Sequence, residues 1–335
     1  MANRAAVMTE IGKIAVQERP EPSPGPRQAV VRIEAVGVCG SDTAYFKVGR
    51  IGDYVVEGPL ILGHEVAGQV ESVGAEVTNV KPGDRVAIEP GTPCRDCAEC
   101  LAGRYHLCPD LEFLATPPYD GALLTQLLID SRNLFAIPAE MTYEQGALLE
   151  PLSVGIWACQ RAHLDPGDHV LVTGAGPVGL VSAMAARAFG AGSVTITDVS
   201  DFRLKLARSM GFLTEKGDAP SAASFDVLIE CSGAPGVLAS GLRRLRPAGR
   251  AAMVGMSKED AIALPLAQLN PQELTISLVN RYAHTWPLAI ELVVSGRVDV
   301  NPLITHHFPL DRTEEALTLA SRVADSVKAI VHPQQ

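Results

Sequence analysis

Two kinds of hydrophobic pattern divide this chain. In its first part, segment 28–36 alternates apolar and polar positions, and further short apolar runs at 66–73 and 85–88 stand between turn signals. Alternation with a period of two is typical of a strand that buries one face. Short strands in this succession predict a barrel-like β domain, in which no amphipathic helix is expected.

In the second part, apolar strand segments alternate with helical ones. This order is typical of an α/β fold, in which a doubly wound parallel sheet carries helices on its faces. Between 211 and 225 the chain is short and polar, so the usual crossover helix is predicted to be reduced to a loop. The strands are predicted at 168–173, 193–197, 225–230, 250–254 and 274–279, and the helices at 153–162, 180–189, 237–245 and 286–295.

The length of 335 residues is large for one core, so two domains are expected. The tail is predicted to rejoin the first domain. The predicted boundaries are therefore 1–146 with 283–335 for the β domain and 147–282 for the α/β domain.

Composition and charge exclude several classes of protein. A net charge of −10 argues against a nucleic-acid partner, because phosphate backbones require clustered Lys and Arg. No run of about 18 apolar residues is present, so no membrane span is expected. The N-terminus lacks the apolar core of a signal peptide, which predicts a cytoplasmic and reducing location. In that compartment, clustered cysteines are better interpreted as metal ligands than as disulfides.

A cluster of four cysteines is the most specific signal in the chain: Cys94, Cys97, Cys100 and Cys108. This spacing suits a closed tetrahedral zinc site that holds together a loop without its own core, so the zinc would be structural. Four free thiols and a redox Cys-x-x-Cys motif are the weaker alternatives. A zinc-ribbon nucleic-acid module has similar spacing, but acidic residues outnumber basic ones in this loop.

A glycine-rich segment, Gly174-Ala175-Gly176-Pro177-Val178-Gly179, lies between a predicted strand and a predicted helix. Gly174 permits the tight turn, Gly176 lets a pyrophosphate approach the backbone, and Gly179 allows close helix packing. The next strand ends at Asp198, whose carboxylate would accept hydrogen bonds from ribose hydroxyls and repel a 2′-phosphate. This favours NAD over NADP, although Arg203 could tolerate a phosphate. The alternative for Asp198 is a cap for the following helix.

Three residues from two places in the first domain form a possible catalytic metal site: Cys39 and the dipeptide His64-Glu65. A thiolate, an imidazole and a carboxylate are ligands that zinc accepts, and three protein ligands leave a position open for substrate. A buried Cys in a turn is the alternative for Cys39. Glu150 lies within an apolar run, where a carboxylate requires a metal, an Arg or a proton; an exposed helix end is its alternative.

With these residues, the chain resembles the zinc-dependent medium-chain alcohol dehydrogenases over essentially its whole length. Within this family it resembles the polyol group, the sorbitol and xylitol dehydrogenases. The resemblance implies a GroES-like catalytic domain, a Rossmann cofactor domain, one catalytic and one structural zinc, NAD, and a homo-tetramer or dimer. The matching segments are GVCGSD 37–42, VGRIGDYVV 48–56, LGHEVAG 62–68, PGDRVAIEPG 82–91, ATPPYDG 115–121, EPLSVG 150–155, GAGPVGL 174–180, RYAHTWP 281–287 and THHFPL 305–310.

The resemblance also assigns roles to individual residues. Cys39, His64 and Glu65 match the catalytic zinc ligands, and Glu150 matches an acid that approaches zinc directly or through water. Asp42 matches a carboxylate that orients the histidine, and Ser41 matches the hydroxyl beside the substrate oxygen. Gly255 and Arg281 are further predicted cofactor contacts. The predicted substrate pocket comprises Ser41, Tyr45, Phe113, Thr116, Glu150, Arg281 and Tyr282.

Two departures from the family pattern matter. All four cysteines of the loop are present, whereas animal sorbitol dehydrogenases have lost that second zinc. Ala44 stands where the family often carries a histidine that relays a proton outward. The remaining histidines are predicted to be surface or packing residues, and they include His106, His284, His306 and His307.

The predicted activity is the reversible, NAD-dependent oxidation of a secondary hydroxyl of a polyol to a ketose. The enzyme alternative is a zinc dehydrogenase of another secondary alcohol, such as L-threonine or 2,3-butanediol. A non-catalytic NAD-binding homologue would keep the fold, but the intact Cys39, His64 and Glu65 argue against it.

Overall fold

The computed structural model describes residues 3–218, 222–257, 259 and 261–335. It divides the chain into two compact units. The first unit comprises Met1–Glu150, Trp286–Val294 and Ile304–Gln335, and the second comprises Pro151–Thr285 and Ser295–Leu303. The boundaries at 146/147 and 282/283 stay a prediction.

The first 148 residues form short strands joined by loops and brief helices. The strands are β1 (Asn3–Glu10), β2 (Lys13–Arg19), β3 (Gln28–Gly37), β4 (Arg50–Ile51), β5 (Tyr54–Val55), β6 (Leu60–Ile61), β7 (Glu65–Val73), β8 (Arg85–Ile88), β9 (Gly91–Thr92), β10 (Glu112–Phe113), β11 (Gln126–Asp130) and β12 (Leu134–Ala136). The α-helices are α1 (Gly40–Val48), α2 (Ala98–Leu101) and α3 (Tyr143–Ala147).

The second half of the chain contains longer helices. Its helices are α4 (Leu149–Arg161), α5 (Pro177–Ala188), α6 (Asp201–Ser209), α7 (Val237–Leu242), α8 (Leu266–Leu269), α9 (Trp286–Val294) and α10 (Thr313–Arg322). Its strands are β13 (His169–Thr173), β14 (Ser193–Asp198), β15 (Leu213–Lys216), β16 (Phe225–Glu230), β17 (Leu245–Met253), β18 (Thr275–Leu278), β19 (Ile304–Pro309) and β20 (Lys328–His332).

The first unit is built on a seven-stranded sheet in the order β12-β8-β7-β3-β20-β19, with β11 also paired to β3. Its central strand β3 runs antiparallel to both β7 and β20. A large apolar core joins this sheet to the smaller sheet β2-β1-β6, and Val31, Leu62 and Leu123 are among its fully buried members. The predicted β domain is thus confirmed, including the strands near 28–36, 66–73 and 85–88.

Helix α1 lies early in the β domain, for which the sequence predicted no amphipathic helix. Its nine residues are too few to show an amphipathic stripe, and local capping defines it instead. The backbone N–H of Cys39 donates to Asp42 Oδ2 at 2.9 Å, and Gly49 ends the helix at φ 77°.

The second unit contains a six-stranded parallel sheet in the order β15-β14-β13-β16-β17-β18. Its strands diverge in both directions from β13, as in a doubly wound fold, so the predicted fold class is confirmed. An edge strand, β15, occupies part of the segment predicted to be a loop, because it pairs with β14. The rest of that prediction includes 219–221, which lie outside the described residues. None of the described helices has the length and hydropathy needed to cross a membrane.

Candidate metal centres and cofactor site

Two neighbouring strands and the start of one helix bring the predicted zinc ligands together. Strand β3 ends at Gly37, directly opposite Glu65, where β7 begins. A side chain at position 37 would place its Cβ 2.1 Å from Glu65 Oε2, so only glycine fits there. Cys39 follows two residues later, at the start of α1. The antiparallel register therefore places a thiol beside the dipeptide His64-Glu65.

The donor atoms of Cys39, His64 and Glu65 all lie within 4.8 Å of one another. His64 and Glu65 are 7% and 1% exposed, so the cluster is shielded from bulk water. One sulfur, one nitrogen and one oxygen donor in a buried site suit Zn²⁺, and three ligands leave a position open. The residues thus fit a catalytic zinc ion.

Asp42 connects the two chain segments that carry these ligands. Its carboxylate accepts hydrogen bonds from the backbone N–H of Cys39 and of Gly63, each at 2.9 Å. Its Oδ1 also lies 3.5 Å from Nδ1 of His64. The carboxylate therefore faces one ring nitrogen and leaves Nε2 for a metal, the arrangement that commonly orients histidine ligands.

The charges in this cluster shift the pKa values of both Asp42 and His64. Burial alone would raise the pKa of Asp42, but the neighbouring His64 and two backbone N–H groups bring it below its ordinary value. Burial would lower the pKa of His64, but Asp42 and Cys39 raise it well above its ordinary value. The surroundings of His64 therefore favour a positive charge at its ring.

Lys328 is a residue at this site that the sequence did not predict. Its Nζ lies 2.6 Å and 2.8 Å from the two carboxylate oxygens of Glu65 and donates to the carbonyl of Val38 at 3.1 Å. The side chains of Lys328 and Glu65 are 3% and 1% exposed. Burial would lower the pKa of Lys328, yet Glu65 and Cys39 raise it, so Lys328 is a fixed cation behind the predicted zinc ligand.

The other predicted catalytic and substrate residues of the first unit lie in different surroundings. Glu150 is buried but outside the three-donor cluster. The ring of Phe113 lies 5.7 Å from that of His64, whereas Tyr45 is buried in the apolar core. Ser41 and Thr116 are partly exposed. In the second unit, Tyr282 is buried and Arg281 is partly exposed, with a φ of 57°.

The four cysteines of the predicted structural zinc site also converge. Their sulfur atoms lie within 4.8 Å of one another, with Cys94 at 3.4 Å from Cys108 and 3.9 Å from Cys100. Two thiolates bound to one tetrahedral zinc at about 2.3 Å lie about 3.8 Å apart. Hydrogen bonds from the backbone N–H groups of Asp96 and Cys97 lower the pKa of Cys94 to about 7. The loop fits a zinc ion, and its described cysteines are all free thiols.

Glu89 is a buried carboxyl group whose ionisation we expect to affect stability. Burial, partly opposed by the hydroxyl of Tyr105 at 2.8 Å and by Arg95, raises its pKa from 4.5 to about 7. A raised pKa stabilises the fold below pH 4.5, and this contribution is lost as the pH rises through 7. In Glu89→Gln, stability relative to the wild type should therefore increase by about 3 kcal/mol from pH 4.5 to pH 8.

The measurement is the unfolding midpoint of both proteins between pH 4.5 and pH 8. Tyr105→Phe is the matched variant, because it removes the hydroxyl that lowers the pKa of Glu89 and should move the loss of stability to higher pH. If the difference in unfolding midpoint between Glu89→Gln and the wild type stays constant with pH, the pKa of Glu89 is not raised in the folded protein.

The glycine-rich turn of the second unit is built as a dinucleotide site requires. Gly174 has a φ of 89°, and a Cβ at Gly179 would lie 1.8 Å from the carbonyl oxygen of Gly174. At Gly176, in contrast, a Cβ would meet only Arg203, at 3.9 Å. Backbone conformation thus explains Gly174, and packing explains Gly179. Gly176 has neither reason, and its lack of a side chain leaves the backbone accessible to a ligand. Pro177 and Val178 open α5 beside it, so its N-terminus favours a phosphate.

Asp198 lies at the edge of a cavity of about 330 Å³ at the carboxyl ends of the parallel strands. Its two oxygens accept hydrogen bonds from the backbone N–H groups of Ala175 and Ser200, each at 2.7 Å. The cap of α6 is Ser200 rather than Asp198. In α/β sheets, ligands bind at this edge. Gly255 is not among the residues that line this cavity, and a Cβ there would lie 2.3 Å from the backbone of Gly233.

A metal cluster with one open position and a doubly wound dinucleotide fold in the same chain define the class of zinc-dependent dehydrogenases. The model of the alcohol dehydrogenase GroES-like domain matches residues 25–139, and that of the zinc-binding dehydrogenase domain matches 177–295. The chain belongs to the zinc-dependent medium-chain alcohol dehydrogenase family, as predicted. Zinc and a nicotinamide dinucleotide are therefore its cofactors.

Individual relatives and structures agree with this membership. Sorbitol dehydrogenase of Bacillus subtilis is 40% identical over 99% of this chain and 98% of its own length. L-Idonate 5-dehydrogenase of Vitis vinifera is 39% identical over 98% of this chain and 94% of its own. The crystal structure of 2R,3R-butanediol dehydrogenase from Bacillus subtilis superposes with a TM-score of 0.91, at 27% identity, covering 99% of this chain and 100% of that one.

Proposed function

We propose that this protein oxidises a secondary hydroxyl group of a polyol to a ketone, reversibly, with NAD as the hydride acceptor. The observation that carries the proposal is the cluster of the half-buried Cys39 with the buried His64 and Glu65. It occurs in a chain about 40% identical, over nearly its full length, to sorbitol dehydrogenases. The overall reaction moves a hydride from the carbinol carbon to NAD⁺ and releases one proton.

In this proposal, Cys39, His64 and Glu65 hold the catalytic zinc ion. Zinc supplies Lewis-acid polarisation of a hydroxyl oxygen, which lowers the pKa of that hydroxyl. Asp42 fixes the orientation of His64 and joins it to the segment of Cys39. Lys328 holds both oxygens of Glu65 and balances its charge in a buried site.

The hydroxyl of Ser41 is the proposed first acceptor of the substrate proton. Ser41 and Ala44 are three residues apart on α1 and therefore lie on the same face of the helix. A histidine at position 44 would continue the path outward. With Ala44 in its place, the proton leaves through water and the ribose hydroxyls of the cofactor.

Polar groups are proposed to select a polyol over a plain alkanol. Glu150 is the charged residue proposed for this role in the first unit, and its carboxylate would accept hydrogen bonds from further hydroxyl groups. A substrate without those hydroxyls would leave buried polar groups unpaired, which costs binding free energy.

A substrate panel tests this proposal directly. Initial rates with NAD on sorbitol, xylitol, L-threonine and 2,3-butanediol should give the highest kcat/KM on one of the two polyols. After free metal is removed, the same preparation should contain two tightly bound zinc ions per chain. Turnover of none of the four alcohols by the fully loaded protein would contradict a catalytic role.

Oxidation of a diol is the second candidate function. Its support is the likeness to 2R,3R-butanediol dehydrogenase, whose structure matches over the whole chain. A kcat/KM on 2,3-butanediol that exceeds the values for both polyols would favour this candidate, without changing the roles proposed for Cys39, His64 and Glu65.

Asp198 is proposed to set the preference for NAD. Its carboxylate is placed at the cavity edge, where it would repel the 2′-phosphate of NADP, while the partly exposed Arg203 lies beside the same glycine turn. We expect Asp198→Ala to lower the ratio of kcat/KM for NAD over NADP by about tenfold or more, equivalent to about 1.4 kcal/mol. Asp201→Ala, at an exposed aspartate nearby, is the control and should leave the ratio unchanged. Equal ratios in all three proteins would reject this role.

Assembly and location follow from the resemblance and from cysteine usage. We propose a homo-tetramer, or a dimer, in the cytoplasm. Light scattering coupled to size-exclusion chromatography measures the assembly, and a monomeric mass would reject it.

A further inference from the structure

A third cluster of metal-ligand type lies in the first unit, apart from the residues assigned above. It consists of Glu144, His307 and His332, whose donor atoms lie within 4.8 Å of one another. Glu144 Oε1 is 3.0 Å from His307 Nδ1 and 3.0 Å from His332 Nε2. The two ring nitrogens are 3.3 Å apart. The sequence predicted His307 to be a surface or packing residue, and the structure joins it to this cluster instead.

These separations match those of ligands around one small metal ion. Two ligand atoms at about 2.0–2.1 Å from a tetrahedral zinc ion lie about 3.3 Å apart. The three measured distances, 3.0, 3.0 and 3.3 Å, all fall close to this value. Two imidazoles and one carboxylate form a ligand set that suits Zn²⁺ and other divalent transition metals.

The tautomer of His332 is fixed in the form that a metal requires. Its Nδ1 lies 3.0 Å from the backbone carbonyl oxygen of Glu34. A carbonyl oxygen only accepts hydrogen bonds, so Nδ1 carries the proton and Nε2 is left to face Glu144 and His307. Metal-binding histidines are commonly held in this way, with the second ring nitrogen bonded to a carbonyl or carboxylate.

The three residues come from three different parts of the scaffold. Glu144 lies in the first turn of α3, His307 in β19 and His332 at the end of β20. In the parallel pairing of β19 with β20, His332 is opposite Pro309, so His307 lies two residues away on the same face. Secondary structure therefore sets their convergence, rather than a mobile loop.

The cluster is open enough for an ion to enter from solution. The side chain of His307 is 53% exposed, that of Glu144 27% and that of His332 17%. Three protein ligands also leave at least one coordination position for water.

We propose that Glu144, His307 and His332 bind a divalent transition-metal ion, of the Zn²⁺ and Ni²⁺ class, in addition to the two zinc ions of the family. A bound ion would join α3 to both β19 and β20. Strand β20 begins with Lys328, which contacts Glu65, so the ion would also stabilise the strand that supports the catalytic cluster.

Metal titration of the zinc-loaded protein tests the proposal. After both zinc sites are filled and free metal is removed, Ni²⁺ is titrated calorimetrically into the wild type, His307→Gln, His332→Gln and His306→Gln. His306 is the matched control, because it precedes His307 on β19 and points to the opposite face. The wild type and His306→Gln should each bind one further equivalent.

Loss of a ligand should weaken that binding by at least about 10–100-fold, the cost of losing even an outer-shell partner. Ni²⁺ should also raise the unfolding midpoint of the wild type and of His306→Gln, but not of the other two variants. The side chain of His307 is half exposed, so His307→Gln keeps its fold and reports on binding alone. The proposal is overturned by the absence of a further equivalent in the wild type, or by equal affinity in all four proteins.

Discussion

Replacing Lys328 with Met is expected to destabilise the metal-free protein by about 3–5 kcal/mol, because it leaves the carboxylate of Glu65 buried without a cation. Lys328 and Glu65 are almost fully buried, and Nζ contacts both carboxylate oxygens. Methionine fills a similar volume, so the effect arises from charge rather than from a cavity. Urea unfolding of the wild type and the variant measures the difference.

A double-mutant cycle separates this ion pair from other effects. Glu65→Gln combined with Lys328→Met removes both charges, so the double variant should be more stable than Lys328→Met alone. Lys328→Arg retains the cation and should recover part of the stability. If the two single losses simply add in the double variant, Lys328 does not act through Glu65.

The same substitution should also affect the catalytic cluster. Without Lys328, the Glu65 carboxylate is free to change its position, and the geometry of the proposed zinc site changes with it. We expect kcat to fall by about 10–100-fold, as for other groups that orient a ligand. The structural cysteine loop, whose residues make no described contact with Lys328, should retain its zinc.

Features that depend only on a short segment of the chain could be predicted from the sequence. The spacing of the four cysteines predicted a loop in which four sulfur atoms converge. The order of strand, Gly174-x-Gly176-x-x-Gly179 and helix predicted the dinucleotide turn, because Gly174 and Gly179 meet local backbone and packing requirements and Gly176 leaves the backbone open to a ligand. The parallel sheet followed from the alternation of strands and helices, whose lengths are set by local hydrophobic periods.

Contacts that depend on strand pairing could not be predicted from local patterns. Lys328 is 263 residues from Glu65, and only the pairing of β20 with β3 brings it to the site. The pairing of β19 with β20 brings His332 near His307, and Glu144 of α3 joins them. The sequence did contain one hint of the Lys328 contact. Lys328 directly precedes the apolar residues 329–331, and a lysine that is buried with them requires a charged partner.

The proposed zinc cluster lies where the ends of three neighbouring strands of one sheet meet. The end of β3 meets the beginnings of β7 and β20; β7 begins with Glu65, β20 begins with Lys328, and Cys39 follows two residues after β3. A one-residue shift in either pairing would turn the polar side chains to the opposite face. The close fit of Gly37 against Glu65 excludes a side chain at this point, so it helps to fix the register.

Replacing Cys39 with Ser is expected to abolish dehydrogenase activity, with a fall in kcat/KM that exceeds the 10–100-fold typical of an outer-shell partner. A serine hydroxyl does not ionise near neutral pH and cannot replace a thiolate as a zinc ligand. The remaining His64 and Glu65 are too few to hold the ion, so the zinc content should fall from two ions per chain to one. Steady-state kinetics and metal analysis of the same preparation test both effects.

Cys159→Ala is the control for this substitution, since Cys159 is a fully buried thiol of the second unit that belongs to no described metal cluster. It should retain both zinc ions and full activity. In Cys39→Ser, an intact second unit should still bind NAD, which fluorescence titration measures without turnover. Full activity in Cys39→Ser would reject the catalytic assignment of the cluster. Loss of activity with both zinc ions retained would show that Cys39 acts in another way, because a thiolate that holds the ion cannot be removed without losing it.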